Sequence, residues 1–337
     1  MTTMSSSSPP TAPGSSTASG RLPDFFIVGH SKCGTTALYM MLKSHPQIFM
    51  PVKETRFFSP ELRSRSRWIA PSGVPSTLAG YMELYAGARP DQVTGEATPE
   101  YLRSRTAANR IAQVKPDARI IIVLREPASF LRSFHLQCAY NHIETQKDLR
   151  KALALEDDRR RGKRIPRLSQ SPATLLYSDH VRYVEQLRRY HEAFSPEQVL
   201  VLIYDDFRAD NEAVARQVLR FVGTDDTLAM EPYRSETLPR VRIETLHQAA
   251  RLTGFVRRNR SSMPIVRALS RLVPSEPASR GLRGALRRGW HDLLYTEAPA
   301  LDEGLALEIR RRFKPEVVAL SEYIGRDLVT LWGYDRL

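Results

Sequence analysis

The sequence predicts a three-layer α/β fold, with a central parallel sheet and helices on both faces of that sheet. Apolar runs without alternation at 24–29, 119–124 and 198–203 are typical of strands that are buried on both faces. Segments with helical periodicity alternate with these runs, and this alternation favours parallel strands joined by right-handed crossovers. A chain of 337 residues is long enough for one large domain.

The elements can be followed in order along the chain. The first helix has an apolar face of Ala37, Leu38, Met41 and Leu42, and we expect it to end before Pro46. Beyond about residue 240 the pattern is mostly helical and basic. The predicted order is strand 24–29, helix 35–43, strand 48–50, a loop with a short helix over 53–68, helix 81–86, a strand end and turn over 94–102, helix 103–114, strand 119–124, helix 129–141, a charged helix decaying into a loop over 146–164, helix 177–194, strand 198–203 and helix 212–221.

Composition and targeting signals set the expected compartment. Residues 1–20 are rich in Ser, Thr and Pro and lack the apolar run of a secretory signal, so we expect a disordered tail before a single domain over 21–337. No stretch approaches the roughly 18 apolar residues of a membrane span. Cys33 and Cys138 cannot form a disulfide framework, and no Cys and His clusters have zinc spacing. A reduced, cytoplasmic location and no structural metal are expected.

The charge is strongly basic. The net charge is +13, and of 50 basic residues only eight are lysine. Ten arginines lie in 251–290 against one acid, Glu276, within a basic helical insert expected at about 245–300. Two interpretations stay open: a surface that meets an anionic acceptor or lipid headgroups of a membrane, and a solvated basic face. No recognition-helix motif or aromatic stacking platform supports nucleic-acid binding.

The first strand leads into a glycine loop that is similar to a nucleotide-binding P-loop. Gly29 and Gly34 have the Walker spacing, but Thr35 follows where the Walker pattern has lysine, and Lys32 precedes Gly34. A glycine turn before a helix predicts an anion site, because backbone N–H groups and the helix dipole point at one place. Thr36 adds a second hydroxyl. The alternative is a plain strand-to-helix turn capped by threonine.

A second constellation follows the strand at 119–124. Arg125 stands at the carboxyl end of that strand, the edge where open α/β sheets bind ligands, and Ser133 lies eight residues later. A guanidinium and a hydroxyl together suit a phosphate. The alternative is that Arg125 caps the strand and pairs with Glu126. Because no acid except Glu126 stands at this strand tip, a magnesium-dependent ATP site is not favoured.

Together the two loops resemble the sulfotransferases that use 3′-phosphoadenosine 5′-phosphosulfate (PAPS). In that family a K-x-G-T-T loop holds the 5′-phosphosulfate, and it is matched by Lys32, Cys33, Gly34, Thr35 and Thr36. An Arg and a Ser eight residues apart hold the 3′-phosphate, and they are matched by Arg125 and Ser133. The resemblance implies PAPS as co-substrate, a P-loop-like fold and no metal.

Further segments extend the resemblance over residues 24–225 and 313–332: two resemble the heparan and carbohydrate branch, and 198–207 and 315–332 resemble bacterial members of the family. KETRFF at 53–58 resembles the element of the heparan-type branch that carries the catalytic base, which would make Glu54 the base. The alternative is that Glu54 is a surface acid paired with Lys53 or Arg56. EATPEYL at 96–102 resembles another element, in which Ala97 replaces the family's lysine. The stretch 234–242 falls where bacterial members carry a segment that lies near the 3′-phosphate, and of this segment only Arg240 is carried over.

The resemblance implies transfer of the sulfuryl group to a hydroxyl of a carbohydrate, glycolipid or small natural product. Glu54 would take the hydroxyl proton, and Lys32 would face the bridging oxygen where charge develops on the leaving phosphate. His30 lies in the same loop and is an alternative contact for donor or acceptor. Two other functions stay open: a P-loop kinase-like phosphotransferase, and a non-enzymatic binder of anionic ligands.

Overall fold

The computed structural model describes residues 20–62, 75–166, 169, 172–228, 230, 231, 233, 240–241, 295–296 and 300–337. Its centre is a five-stranded parallel sheet in the order β2-β3-β1-β4-β5. This confirms the predicted α/β class. The strands are β1 (Phe25–Gly29), β2 (Ile48–Phe49), β3 (Val93–Ala97), β4 (Arg119–Leu124) and β5 (Val199–Ile203); a separate antiparallel pair consists of β6 (Arg240–Val241) and β7 (Tyr295–Thr296).

Helices follow most strands, and the C-terminal region is helical as predicted. The longest helix spans 22 residues near the C-terminus. None of the helices in the described part of the chain combines the length and the apolar character needed to cross a membrane. The helices are α1 (Thr35–Ser44), α2 (Leu78–Glu83), α3 (Ala107–Val114), α4 (Pro127–Tyr140), α5 (Leu149–Ala154), α6 (Glu156–Arg160), α7 (Tyr177–His180), α8 (Tyr183–Ala193), α9 (Tyr204–Ala209), α10 (Asn211–Val222), α11 (Glu303–Ile324) and α12 (Leu328–Leu331), with short 3-10 turns at Pro60–Leu62, Pro172–Leu175 and Pro196–Gln198.

The most completely buried strands are the central strand β1 and its neighbour β4. Every residue of β1 is buried, and so is every residue of β4 after Arg119. Because β1 pairs with β3 on one side and β4 on the other, the loops after all three strands leave the same edge of the sheet. The apolar runs in the sequence therefore mark the strands that position the site.

Several helix predictions were wrong in their bounds, among them 81–86, 103–114 and 146–164, and two of the differences have a clear local reason. Helix α4 begins at Pro127 rather than Ser129, because the Glu126 carboxylate accepts hydrogen bonds from Ala128 N–H (3.1 Å) and Ser129 N–H (2.6 Å) and caps the helix. The helix predicted over 177–194 is two helices. The Gln186 amide donates to the carbonyls of Asp179 and His180, which end α7.

Three predictions lie outside the described residues. These are the tail, of which only residue 20 is described, the basic insert at about 245–300 apart from β7 and residue 300, and its arginines in 251–290.

Candidate functional site

The predicted site residues meet at the carboxyl edge of the sheet. A cavity of about 220 Å³ opens there between the loops after β1 and β4 and helices α1 and α4. Its walls include four cationic side chains and one carboxylate. The predicted residues that line it are Lys32, Gly34, Thr35, Thr36, Glu54, Arg125 and Ser133, and the sequence analysis did not single out Ser31, Lys53, Pro99, Arg132, Leu136, Gln137 and Tyr204.

The glycine loop delivers an uncapped helix N-terminus to this cavity. Gly34 is the N-cap of α1 with φ 79°, and no side chain caps the first turn. A Cβ at Gly34 would lie 2.8 Å from the Phe207 ring, so both the backbone conformation and the packing require glycine. The first-turn N–H groups of α1 are therefore presented toward an anion in the cavity.

Lys32 is held by backbone geometry beside Arg125. Its φ is 64°, in the left-handed region that few non-glycine residues adopt and that is concentrated at functional sites. Its carbonyl accepts a hydrogen bond from Arg125 Nη1 at 2.8 Å. Burial, reinforced by the neighbouring Arg125 charge, lowers the pKa of the Lys32 ammonium. The loop thus concentrates positive charge that an anionic ligand would relieve.

Arg125 is fixed by three side chains and the glycine loop. Its Nε and Nη2 donate to Ser129 Oγ at 2.9 and 2.6 Å, and its guanidinium stacks on the Tyr204 ring at 4.5 Å. Tyr183 OH donates to the Arg125 carbonyl at 2.8 Å. The alternative pairing with Glu126 does not occur, because Glu126 caps α4. Arg125 is oriented toward the cavity that Ser133 also lines.

Glu54 is paired with Lys53 rather than with Arg56. Lys53 Nζ lies 3.0 Å from Glu54 Oε1 and 2.8 Å from Thr36 Oγ1, so one ammonium bridges the predicted base and the glycine loop. Glu54 has 48% of its side chain exposed and Lys53 has 19%. Arg56 pairs with Glu100 instead. Glu54 therefore combines access to the cavity with a fixed orientation.

His30 is packed into the core behind the glycine loop. The residue is 1% exposed, and its ring lies 4.8 Å from Phe130, 5.8 Å from His180 and 6.0 Å from Tyr183 between centroids. Burial, with the nearby Arg103 charge, lowers the pKa of His30 to about 4. His30 stays neutral near pH 7 and does not line the cavity.

The remaining predicted residues are placed as follows. Cys33 is fully buried, its N–H donates to the His30 carbonyl at 3.3 Å, and burial raises the pKa of its thiol to about 12. Arg240 has its backbone in β6, but its side chain lies outside the described residues. Within the described part of the chain no group of three or more His, Cys, Asp or Glu side chains could hold a metal ion.

Ser129 is a functional candidate that sequence reasoning missed, and Lys53 was considered only as an ion-pair partner of Glu54. Lys53 stood in the segment quoted for Glu54, and its charge next to the predicted base was the signal that could have found it. Ser129 lies four residues after Arg125, one helical turn into α4, and no pattern in the sequence marks its bond to the guanidinium.

An open parallel sheet that gathers cations around a helix N-terminus at its carboxyl edge belongs to the P-loop-like class of phosphate-binding folds. Residues 22–238 match the model of the sulfotransferase domain. The chain therefore belongs to the sulfotransferase family.

Individual relatives agree with this placement. The chain is 36% identical over 124 residues to human heparan sulfate glucosamine 3-O-sulfotransferase 6, which covers 36% of this chain and 33% of that protein. It is 27% identical over 209 residues to human bifunctional heparan sulfate N-deacetylase/N-sulfotransferase 3, covering 60% and 22%. The chain thus matches a third or less of the length of these two relatives. The crystal structure of a sulfotransferase from Alicyclobacillus acidocaldarius superposes with a TM-score of 0.62 at 26% identity, covering 93% of this chain and 99% of that one.

Proposed function

We propose that the protein is a PAPS-dependent sulfotransferase that transfers the sulfuryl group to a hydroxyl of a carbohydrate or related acceptor. One observation carries this proposal: Lys32, Lys53, Arg125 and Arg132 surround a cavity into which Glu54 presents the only carboxylate among its described lining residues. A donor with phosphates at two positions needs cations at two positions. A hydroxyl acceptor needs a base beside the sulfuryl group, on the side of sulfur opposite the leaving phosphate.

The proposed donor site uses the two phosphate motifs as one unit. The first-turn N–H groups of α1, together with Thr35 and Thr36, would bind the 5′-phosphosulfate end. Arg125 and Ser133 would bind the 3′-phosphate by a guanidinium fork and a hydroxyl. The bond from Arg125 to the Lys32 carbonyl supports this arrangement, because it fixes the spacing between the two motifs before any ligand arrives.

In the proposed reaction, Glu54 accepts the proton of the acceptor hydroxyl while the oxygen of that hydroxyl attacks sulfur. The new O–S bond forms as the bond from sulfur to the bridging phosphate oxygen breaks, and the electron pair stays on that phosphate. Lys32 stabilises the charge that develops there. Lys53, between Glu54 and Thr36, would orient the carboxylate and neutralise charge on the transferring group.

Transfer of labelled sulfate from PAPS to a panel of glycans, glycolipids and small hydroxyl compounds tests the proposal. Lys32→Ala and Glu54→Gln should each lower kcat by about a hundredfold or more. Lys43→Ala, in the last turn of α1, and Glu83→Gln, exposed on α2, are matched controls that should keep full activity.

Two results would contradict parts of this scheme. Tight binding of 3′-phosphoadenosine 5′-phosphate (PAP) that survives Arg125→Ala and Ser133→Ala together would refute the donor site. Magnesium-dependent phosphoryl transfer from ATP without sulfate transfer would favour the kinase alternative.

Because the relatives named above are heparan sulfate enzymes, a heparan-type glycan is the first acceptor to try. The cytoplasmic location and contact with an anionic membrane surface stay predictions, which fractionation of expressing cells tests.

A further inference from the structure

A buried carboxyl group lies directly beneath the loop that carries Glu54. Glu96, in β3, is fully buried. In the described part of the chain, the hydrogen-bond donors to its carboxylate are all hydroxyls. Thr98 Oγ1 donates at 2.6 Å and Tyr101 OH at 2.9 Å, while Thr55 and Tyr81 also donate to it. One carboxyl group therefore joins three segments of the chain that are distant in sequence.

The loop above Glu96 needs such an anchor. Glu54 has φ 63° and Arg56 has φ 52°, so two non-glycine residues adopt the left-handed region on either side of Thr55. Each such residue costs about 1 kcal/mol or more and persists only where its surroundings enforce it. The neighbouring contacts do this: Thr55 is 2% exposed and bonded to Glu96, and Glu54 N–H donates to the Ala97 carbonyl at 2.8 Å.

We propose that Glu96 is a positioning residue, which acts through the Thr55 hydroxyl to hold the left-handed backbone that presents Glu54 to the cavity. This inference rests on the proposed function, because it assumes that Glu54 is the base. Glu96 does not line the cavity itself. Most of the donor site is built on the loops after β1 and β4, which the Glu96 side chain does not contact, and Lys53 is held separately by its bond to Thr36. Loss of the bond between Thr55 and Glu96 should therefore spare donor binding.

Thr55 and Thr98 offer a matched pair of variants. Thr55→Val and Thr98→Val each remove one hydroxyl donor from the same carboxyl group at nearly constant volume, but only Thr55 belongs to the Glu54 loop. We expect Thr55→Val to lower kcat by about tenfold to a hundredfold, because a small displacement of the base is enough for this. The KM for PAPS and the affinity for PAP should not change. Thr98→Val should keep kcat within about twofold, although both variants should lower the free energy of unfolding by similar amounts.

Thr55→Ser separates positioning from general loss of structure. Serine keeps the hydroxyl and should restore kcat to near the wild-type value, whereas a role limited to packing predicts that the lost methyl group makes it no better than valine. Equal kcat values for Thr55→Val and Thr98→Val, in a wild-type chain that transfers sulfate and in which Glu54→Gln is inactive, overturn this inference alone. A wild-type chain that binds PAP but transfers no sulfate overturns the proposed function together with it.

Discussion

Acidification should destabilise the protein through His30, which the fold keeps neutral in its core. His30 lies between Phe130, His180 and Tyr183, and burial lowers its pKa from 6.5 to about 4. At pH values between these two pKa values, His30 binds a proton in the unfolded chain but stays neutral in the folded chain. The contribution of His30 to stability is therefore complete above its unfolded pKa and is lost as the pH falls toward its folded pKa.

The size of this effect follows from the two pKa values of His30. The linkage relation gives a loss of about 2 kcal/mol between about pH 7.5 and about pH 5, and about 3 kcal/mol once the pH is below the folded pKa. A domain of this kind has a total stability of about 5–15 kcal/mol, so the effect is large enough to measure.

Urea unfolding of the wild type and of His30→Gln at both pH values measures the effect. Glutamine cannot take up a proton, so the variant should start less stable at the higher pH and lose about 2 kcal/mol less than the wild type on acidification. His180, whose pKa burial also lowers, titrates in both proteins and largely cancels in the comparison. If both proteins lose the same stability, or if the His30 ring titrates near its ordinary pKa in an NMR experiment, the reasoning is refuted.

Three other predictions concern the site and the core. Arg125→Lys keeps the charge but loses the fork held by Ser129, so PAP affinity measured by calorimetry should fall about tenfold or more, and unchanged affinity would contradict the assigned role. The Cys33 thiol, with a pKa of about 12, should react with an aromatic disulfide about a thousandfold more slowly than an ordinary thiol; rapid reaction of the folded protein would show that the loop opens. Arg159→Met leaves Glu144 buried without its partner at 2.8 Å and should cost about 3–5 kcal/mol in urea unfolding, while a loss below about 1 kcal/mol would show that this pair contributes little.

Much of the fold could be predicted from the sequence because its strands are buried on both faces. Such strands appear as uninterrupted apolar runs, and the prediction for β4 matches the structure residue for residue. The sequence also predicted the turn before α1, since Gly34 has a left-handed φ that favours glycine. The first glycine of the pattern has a different cause: a Cβ at Gly29 would lie 2.4 Å from the Leu102 side chain, so packing alone requires it.

The parts that could not be predicted depend on contacts between segments distant in sequence. Lys53 meets Thr36 across 17 residues, and Thr55 meets Glu96 across 41. The end of α7 depends on the Gln186 amide folding back to earlier carbonyls. Periodicity reports which face of an element is buried, but it does not report which side chain from another element will be found there.

These distant contacts show how a loop without the Walker lysine would serve the phosphate donor of the proposed function. In this chain three of the four cations come from separate segments: Lys32 from the glycine loop, Lys53 from the segment after β2, and Arg125 from the end of β4. Two hydrogen bonds, from Arg125 to the Lys32 carbonyl and from Lys53 to Thr36, tie the other two segments to the glycine loop and its helix. Because the Arg125 and Lys53 side chains and the Lys32 backbone are held by these neighbours, the charge is already arranged around the helix N-terminus before a ligand binds. Such preorganisation is what electrostatic stabilisation of a leaving phosphate requires.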